Sequence, residues 1–448
     1  VQHQTAVQNQ TIIERLVNLL DPDLNIVLNM SVAEATERVG TGEPAQVREI
    51  DGQFALVHKQ GKIIRMARSI GRPMRFFLAK QAAGPVLIIA ERIDQIREYL
   101  EREGLADQFH PSYTRMVPAH YITELSLVGC PDPNPLQKRY LESKRDRLPT
   151  DLNEIGRQYV SALAGEIDRF LDAIPATDPI GVLFSGGIDS GTVLLATYQV
   201  LLNRGESPAR LKAFTLAVDG DGSDLDQARS FLQAVDLDFL LEPISVAASQ
   251  IDYREAIRII EDYKPLDVQA ATMGIALLRG IRQRYPDWRH LLDGDGGDEN
   301  LRDYPIEENS ELTIRSVLSN PFFYHEGWGV DKVKHSLTYT GGQSRGHVRT
   351  YAPAAHFGFH GFSPFATANV IDVAEGIPFV ELTDWDQQRL YALKGLVCQR
   401  GIEAFTGLTM PLFEKNRFQR GAIASDKFAA IFPESAAAYR QTFAKLFE

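Results

Sequence analysis

Residues able to do chemistry gather in two glycine-rich stretches. The first, Gly181 to Ser190, reads GVLFSGGIDS: an apolar run ending at Phe184, then Ser185, Gly186, Gly187, Ile188, Asp189 and Ser190. A helical pattern follows from Thr192 to Leu202. A strand that turns through paired glycines into a helix makes an anion site, because the backbone N–H groups turn inward and the helix adds its positive end. Ser185 and Ser190 supply hydroxyl donors. Asp189 would repel a bare phosphate. Its presence makes sense when a cation such as Mg2+ stands between the two, since Mg2+ takes one or two carboxylates together with phosphate oxygens. The competing reading is a plain strand-turn-helix connection.

The second stretch runs Leu291-Leu292-Asp293-Gly294-Asp295-Gly296-Gly297-Asp298-Glu299. Its carboxylates follow an apolar segment that reads as a parallel strand, and open α/β sheets bind ligands at the carboxyl ends of such strands. For the segment taken alone, the competing reading is a solvated acidic turn. Set beside the first loop, Asp298 becomes a second Mg2+ carboxylate facing Asp189.

The elements that must position these loops alternate along the chain. Ile155, Tyr159, Leu163, Ile167 and Leu171 recur at helical spacing behind a cap at Asp151 or Asn153. Apolar runs at Pro179 to Phe184, Leu211 to Val218, Phe239 to Ile244 and His290 to Asp293 alternate with helical stretches at Thr192 to Leu202, Asp224 to Val235 and Leu266 to Tyr285. Such alternation predicts βαβ units and a parallel sheet with helices on both faces. The remainder, from Glu311 to Glu448, reads mostly as helix. The first third differs: Glu49 to Lys59, Lys62 to Arg68 and Pro85 to Ala90 read as hairpin strands, flanked by helical patches at Thr11 to Leu20 and Ile93 to Glu103. A polar, proline-containing stretch from Pro131 to Pro149 is the expected linker between domains 1–145 and 150–448.

The 448 residues suffice for two domains, and 44% hydrophobic with 24% charged residues excludes a disordered or fibrous chain. A net charge of −12 suits small-molecule or peptide partners and argues against nucleic acid. Cys130 and Cys398 have no ligand spacing, so neither a disulfide framework nor structural zinc is expected, and the expected compartment is the cytoplasm. No apolar run approaches the roughly 18 residues of a membrane span.

SGGIDS at Ser185 to Ser190, followed by GDGGDE at Gly294 to Glu299, resembles the asparagine synthetase family of ATP pyrophosphatases, which includes β-lactam and lasso-peptide macrolactam synthetases. Phe214 to Val218, Glu261-Asp262-Tyr263, Tyr304 and Phe413 to Gly421 (FEKNRFQRG) extend the resemblance over 150–448. Asp51 to Ala55 and Met66 to Gly71 resemble, in outline, hairpins of that family's amino-terminal glutaminase domain. The fold implied is an α/β parallel-sheet ATP pyrophosphatase domain, of the adenine nucleotide α-hydrolase type, preceded by a smaller α+β Ntn-hydrolase-like domain. That glutaminase uses a first-residue cysteine. Val1 stands here, so the resemblance implies no glutamine hydrolysis.

The resemblance further implies ATP and Mg2+ as cofactors and a reaction that adenylates a carboxylate and passes it to an amine or ammonia. Ser185, Gly186, Gly187 and Ser190 would hold the pyrophosphate, Asp189 and Asp298 the metal, and Leu183, Leu216, Val218 and Gly294 would border the nucleotide. Lys415 in FEKNRF matches the lysine that stabilises charge at the reacting α-phosphate. Asp295 stands at a position that varies with chemistry, and is either a general base for the amine or an acceptor that shapes the loop. Phe362 and Thr367 in FSPFAT replace the Arg and Asp usual in the family, so the amino-acid surface is expected to differ. A homodimer is compatible with the resemblance. Three alternatives stay open: an ammonia-dependent asparagine synthetase, an RNA-modifying ATP pyrophosphatase and an ATP-binding pseudoenzyme. His356 and His360 share an i,i+4 spacing without a third ligand, and Trp328, Tyr351 and Phe357 read as core aromatics.

Overall fold

A computed structural model describes residues 15–79, 86–126, 135–220, 223–303, 306–308, 313–319, 347–413, 423 and 425–448. Val1, Cys130, Tyr304, Trp328 and Lys415 lie outside the described residues.

The first third packs two sheets face to face. Strands β1 (Arg15–Asn18), β6 (Arg75–Ala79), β7 (Val86–Ala90) and β8 (Arg115–Met116) form one sheet in the order β1-β7-β6-β8, and β4 (Ala55–Gln60), β5 (Ile63–Arg68), β9 (Tyr121–Ser126) and β10 (Leu136–Arg139) form another in the order β10-β9-β5-β4. Ile64, Met66 and Leu125 from the second sheet pack against Phe76, Leu87 and Ile89 from the first. Each outer face carries helix: Ala35 and Val39 of helix Val32–Thr41 cover Leu56 and Ala67, and Ile96 and Leu100 of helix Ile93–Arg102 cover Phe77 and Ile88. The result is a helix-sheet-sheet-helix stack. The short strands β2 (Ile26–Val27) and β3 (Gly52–Gln53) pair beside it.

Two expectations are corrected here. Thr11 to Leu20 reads as helical, yet Arg15–Asn18 is an edge strand parallel to β7. The wholly buried β7 has backbone groups to satisfy on that side, and this pairing outweighs local helix propensity. The expected linker also shortens, because Leu136–Arg139 pairs antiparallel with β9. An edge strand with little burial needs no apolar alternation, so its polar sequence reads as coil.

From residue 152 the alternation expected of βαβ units is present. Strands β11 (Ile180–Leu183), β12 (Leu211–Val218), β13 (Leu241–Val246), β14 (His290–Leu292) and β15 (His360–Phe362) form a parallel sheet in the order β13-β12-β11-β14-β15. Side chains alternate between its faces. Ile180, Val182, Leu211, Ala213 and Leu292 join a core with helices Leu152–Asp172, Ile188–Asn203 and Gln387–Thr406. Phe214, Leu216, Val218, Ile244 and Leu291 join a second core with helices Tyr253–Ile260, Pro265–Arg284 and Ala436–Ala444. The chain moves outward from β11 through β12 to β13, then returns to lay β14 on the other side of β11. That reversal makes the carboxyl ends of β11 and β14 a topological switch point.

The two parts of the chain touch through specific polar contacts. Glu261, buried and at φ 50°, accepts hydrogen bonds from the backbone N–H groups of Ile93 and Asp94, each at 2.8 Å, and so caps helix Ile93–Arg102. Asn369 Nδ2 donates to Asp51 Oδ1 at 3.0 Å.

Candidate active site

The loop after β11 is pinned where it begins, through both backbone groups of Phe184. Phe184 N–H donates to the Phe214 carbonyl at 2.8 Å, and the Thr215 hydroxyl donates to the Phe184 carbonyl at 2.8 Å. Gly186 then adopts φ +73°, and a Cβ there would lie 2.8 Å from the Ala228 backbone nitrogen, so both conformation and space demand glycine. Gly187 is the N-cap of helix Ile188–Asn203. Inside the turn, Ser185 N–H donates to Ser190 Oγ at 3.3 Å, and Ser190 Oγ donates to the Gly187 carbonyl at 3.4 Å. The two serines, the two glycines and the amino end of a helix are thus gathered into one turn, with the donor chemistry of an anion cradle.

The second loop leaves β14 directly beside it. Asp293 N–H donates to the Phe362 carbonyl at 3.2 Å, and Asp295 N–H donates to Asp293 Oδ1 at 3.0 Å. A Cβ on Gly294 would lie 2.8 Å from the Ser190 nitrogen, and one on Gly297 only 2.2 Å from Asp189 Oδ1. The glycines of GDGGDE therefore let one loop press onto the other. Asp298 follows in helix Gly297–Leu301.

Between the loops stands a residue that sequence reasoning misses. Lys394, on helix Gln387–Thr406, has a side chain only 2% exposed; its Nζ donates to Asp189 Oδ2 at 2.6 Å, to Asp298 Oδ1, and to Asp303 Oδ2 at 3.4 Å. Burial alone would depress its pKa, but the charges of Asp189, Asp298 and Asp303 hold it well above the ordinary lysine value. A signal exists in the sequence: Lys394 falls on the apolar face of a helix, where an unpaired ammonium is not tolerated.

The donor set fits a divalent cation. Asp189 and Asp298 already converge on one positive charge, approached by the lysine from the buried side, and remain 22% and 34% exposed on the other. Among the described residues no group of three or more His, Cys, Asp or Glu makes a protein-only metal cage. A metal here would draw its remaining ligands from elsewhere, as Mg2+ does from phosphates.

Asp295 lies deeper. Thr350 Oγ1 donates to its Oδ2, and Arg349, which grips Asp267 Oδ1 through Nε at 3.1 Å and Nη2 at 2.9 Å, adds an attractive charge. Burial raises the Asp295 pKa against these contacts, and Asp298 and Asp267 push it further. Asp293 is pushed well above the carboxylate range by burial and by the neighbouring Asp295 charge.

Of the residues expected to border the nucleotide, Leu183 is half-buried at the end of β11. Leu216 and Val218 are core side chains, which leaves their backbone for any contact. Phe362 is wholly buried and stacks on Phe170 at 4.7 Å, so it is packing rather than a substrate surface; the Thr367 hydroxyl donates to the Pro364 carbonyl. His356 and His360 fall on different elements, helix Ala352–His356 and β15. No described helix is long and apolar enough to cross a membrane.

Residues 172–347 match the family model of asparagine synthase. This segment contains both loops. It supports the asparagine synthetase family and, with it, an ATP-dependent ligase of that type. No curated protein matches the chain.

Proposed function

We propose that the protein joins a carboxylate to an amine or ammonia by activating the carboxylate as its acyl-adenylate, releasing pyrophosphate and then AMP. The observation that carries this reading is the meeting of Asp189 and Asp298 around one positive charge at the switch point between β11 and β14. Ser185, Gly186, Gly187 and Ser190 present hydroxyl and backbone donors to the pyrophosphate portion of ATP, while Leu183, Gly294 and the backbone at Leu216 and Val218 border the nucleotide. Asp189 and Asp298 would hold Mg2+, which when bound neutralises phosphate charge. Lys415, two residues beyond Phe413, is assigned to the charge that develops at the α-phosphate.

Asp295 serves as the general base for the amine. Its raised affinity for a proton suits a group that must take one from an ammonium as the new C–N bond forms. The helix-sheet-sheet-helix stack of the first third supports an Ntn-hydrolase-like unit, corresponding to residues 1–145, that walls the synthetase part, residues 150–448. Substrates are a small-molecule or peptide carboxylate and an amine, used in the cytoplasm without nucleic acid or membrane.

The test is ATP–pyrophosphate exchange. With a panel of amino acids and peptide carboxylates, the protein should return labelled pyrophosphate to ATP only when a cognate carboxylate and Mg2+ are present. Cleavage of ATP to ADP and phosphate instead would reject the adenylation chemistry.

A further inference from the structure

Lys394 reaches the site from a helix outside the matched segment, and its ammonium is shared by three carboxylates carried on two other parts of the chain. Asp303 is tied into the same cluster, its N–H donating to the Asp298 carbonyl at 3.0 Å. Three ionised carboxylates and one ammonium leave a formal charge of −2, whereas without the lysine three carboxylates would face each other across one small space. Such a concentration of negative charge would draw a free divalent cation by charge alone, with water completing its shell.

We infer that Lys394 is a built-in counter-cation that denies the site to a free divalent metal and so makes metal binding depend on nucleotide. The inference rests on the ATP-ligase reading of the site and deepens it. The geometry supplies the reason. Lys394 Nζ engages Asp189 Oδ2 and Asp298 Oδ1 together, so a lone metal meets only carboxylates already committed to an ammonium and half-open to water. A metal that arrives with polyphosphate brings further oxygen ligands and needs less from the protein. The lysine also holds the two loops together while no metal is there, since carboxylates this close repel one another when uncompensated. It is therefore a positioning residue, acting through Asp189 and Asp298.

The test uses Mn2+ as the probe, followed by its electron paramagnetic resonance signal, on the full-length protein with and without ATP. Wild type should bind Mn2+ with ATP and show no saturable binding of Mn2+ alone at millimolar concentration. Lys394→Gln, which keeps the stem and removes the charge, should bind Mn2+ alone at least tenfold more tightly than wild type. Asp303→Asn in that background should reverse the gain. Equal binding of Mn2+ alone by wild type and Lys394→Gln, with ATP-dependent binding intact, would overturn the role of Lys394 and leave the ligase reading standing. Failure of wild type to bind Mn2+ even with ATP would overturn the ligase reading, and this inference with it. Should Lys394→Gln not fold, Lys394→Arg carries the test: its forked charge engages both carboxylates more fully, so ATP should still bind while Mn2+ improves that binding at least tenfold less than in wild type. An unchanged Mn2+ effect would overturn the inference.

Discussion

Gly297 lies against Asp189 so closely that a Cβ on the glycine would sit 2.2 Å from the carboxylate oxygen Oδ1. Gly297→Ala should therefore displace Asp189 rather than disturb the core, because the obstructing atom ends a side chain and the backbone there is ordinary. The expected result is a tenfold or greater weakening of Mg2+-dependent ATP binding by calorimetry, with a melting temperature within a few degrees of wild type. Unchanged affinity would mean that the carboxylate can leave its place at no cost.

Asp189→Asn and Asp298→Asn each remove one of the charges facing Lys394, and each should abolish pyrophosphate release while the fold persists. Both residues sit in the first turns of helices that follow strand ends, and the remaining carboxylates still neutralise the buried ammonium. Near-normal turnover in either variant would reject the shared cation site.

Both loops are legible in the sequence because glycine and carboxylate at fixed spacing leave few other readings, and the alternating apolar runs by themselves put them at strand ends. Lys394 is legible only as a lysine on an apolar helix face, without the partners that give it meaning. Its partners are 205 and 96 residues away in sequence, and a single lysine in a helix is ordinarily a solvated cation. The strand at Arg15–Asn18 escapes local pattern for a related reason: its pairing with β7 is a long-range contact that the segment itself does not encode. Phe362 departs from a family pattern, and its burial against Phe170 explains the residue by packing.

Asp224 gives a pH prediction. It is 3% exposed, its Oδ2 has no hydrogen-bond partner among the described residues, and burial pushes its pKa up to about 7. In the unfolded chain the value is about 4. Between these limits the folded protein keeps a proton that the unfolded chain has lost, so this group's contribution to stability falls as pH rises from about 4 to about 7 and then levels off. Asp224→Asn should raise the melting temperature at pH 8 and change it far less at pH 5. An equal change at both pH values would show that the side chain is not buried as a proton carrier.

Glu261 accepts two backbone hydrogen bonds at the start of helix Ile93–Arg102. Glu261→Ala leaves those donors buried without acceptors, at a cost of about 1–3 kcal/mol each. Thermal unfolding should shift down, and proteolysis at low temperature should first cut within 93–102. Cleavage confined to other segments would argue that the cap is dispensable.

Lys415→Met should separate rate from binding. A charge needed mainly as the pentacoordinate phosphorus forms lowers kcat by about a hundredfold or more while ATP affinity holds. Weak ATP binding with full turnover at saturation would make Lys415 a nucleotide clamp.

The position of Lys394 in the chain also bears on synthesis. The ribosome releases Asp189 and then Asp298 long before the helix that carries their ammonium, 205 and 96 residues later. Until then the ammonium that Asp189 and Asp298 share is absent, and the like charges of the two loops repel. The counter-charge shared by the two loops consequently arrives last, once helix Gln387–Thr406 has emerged.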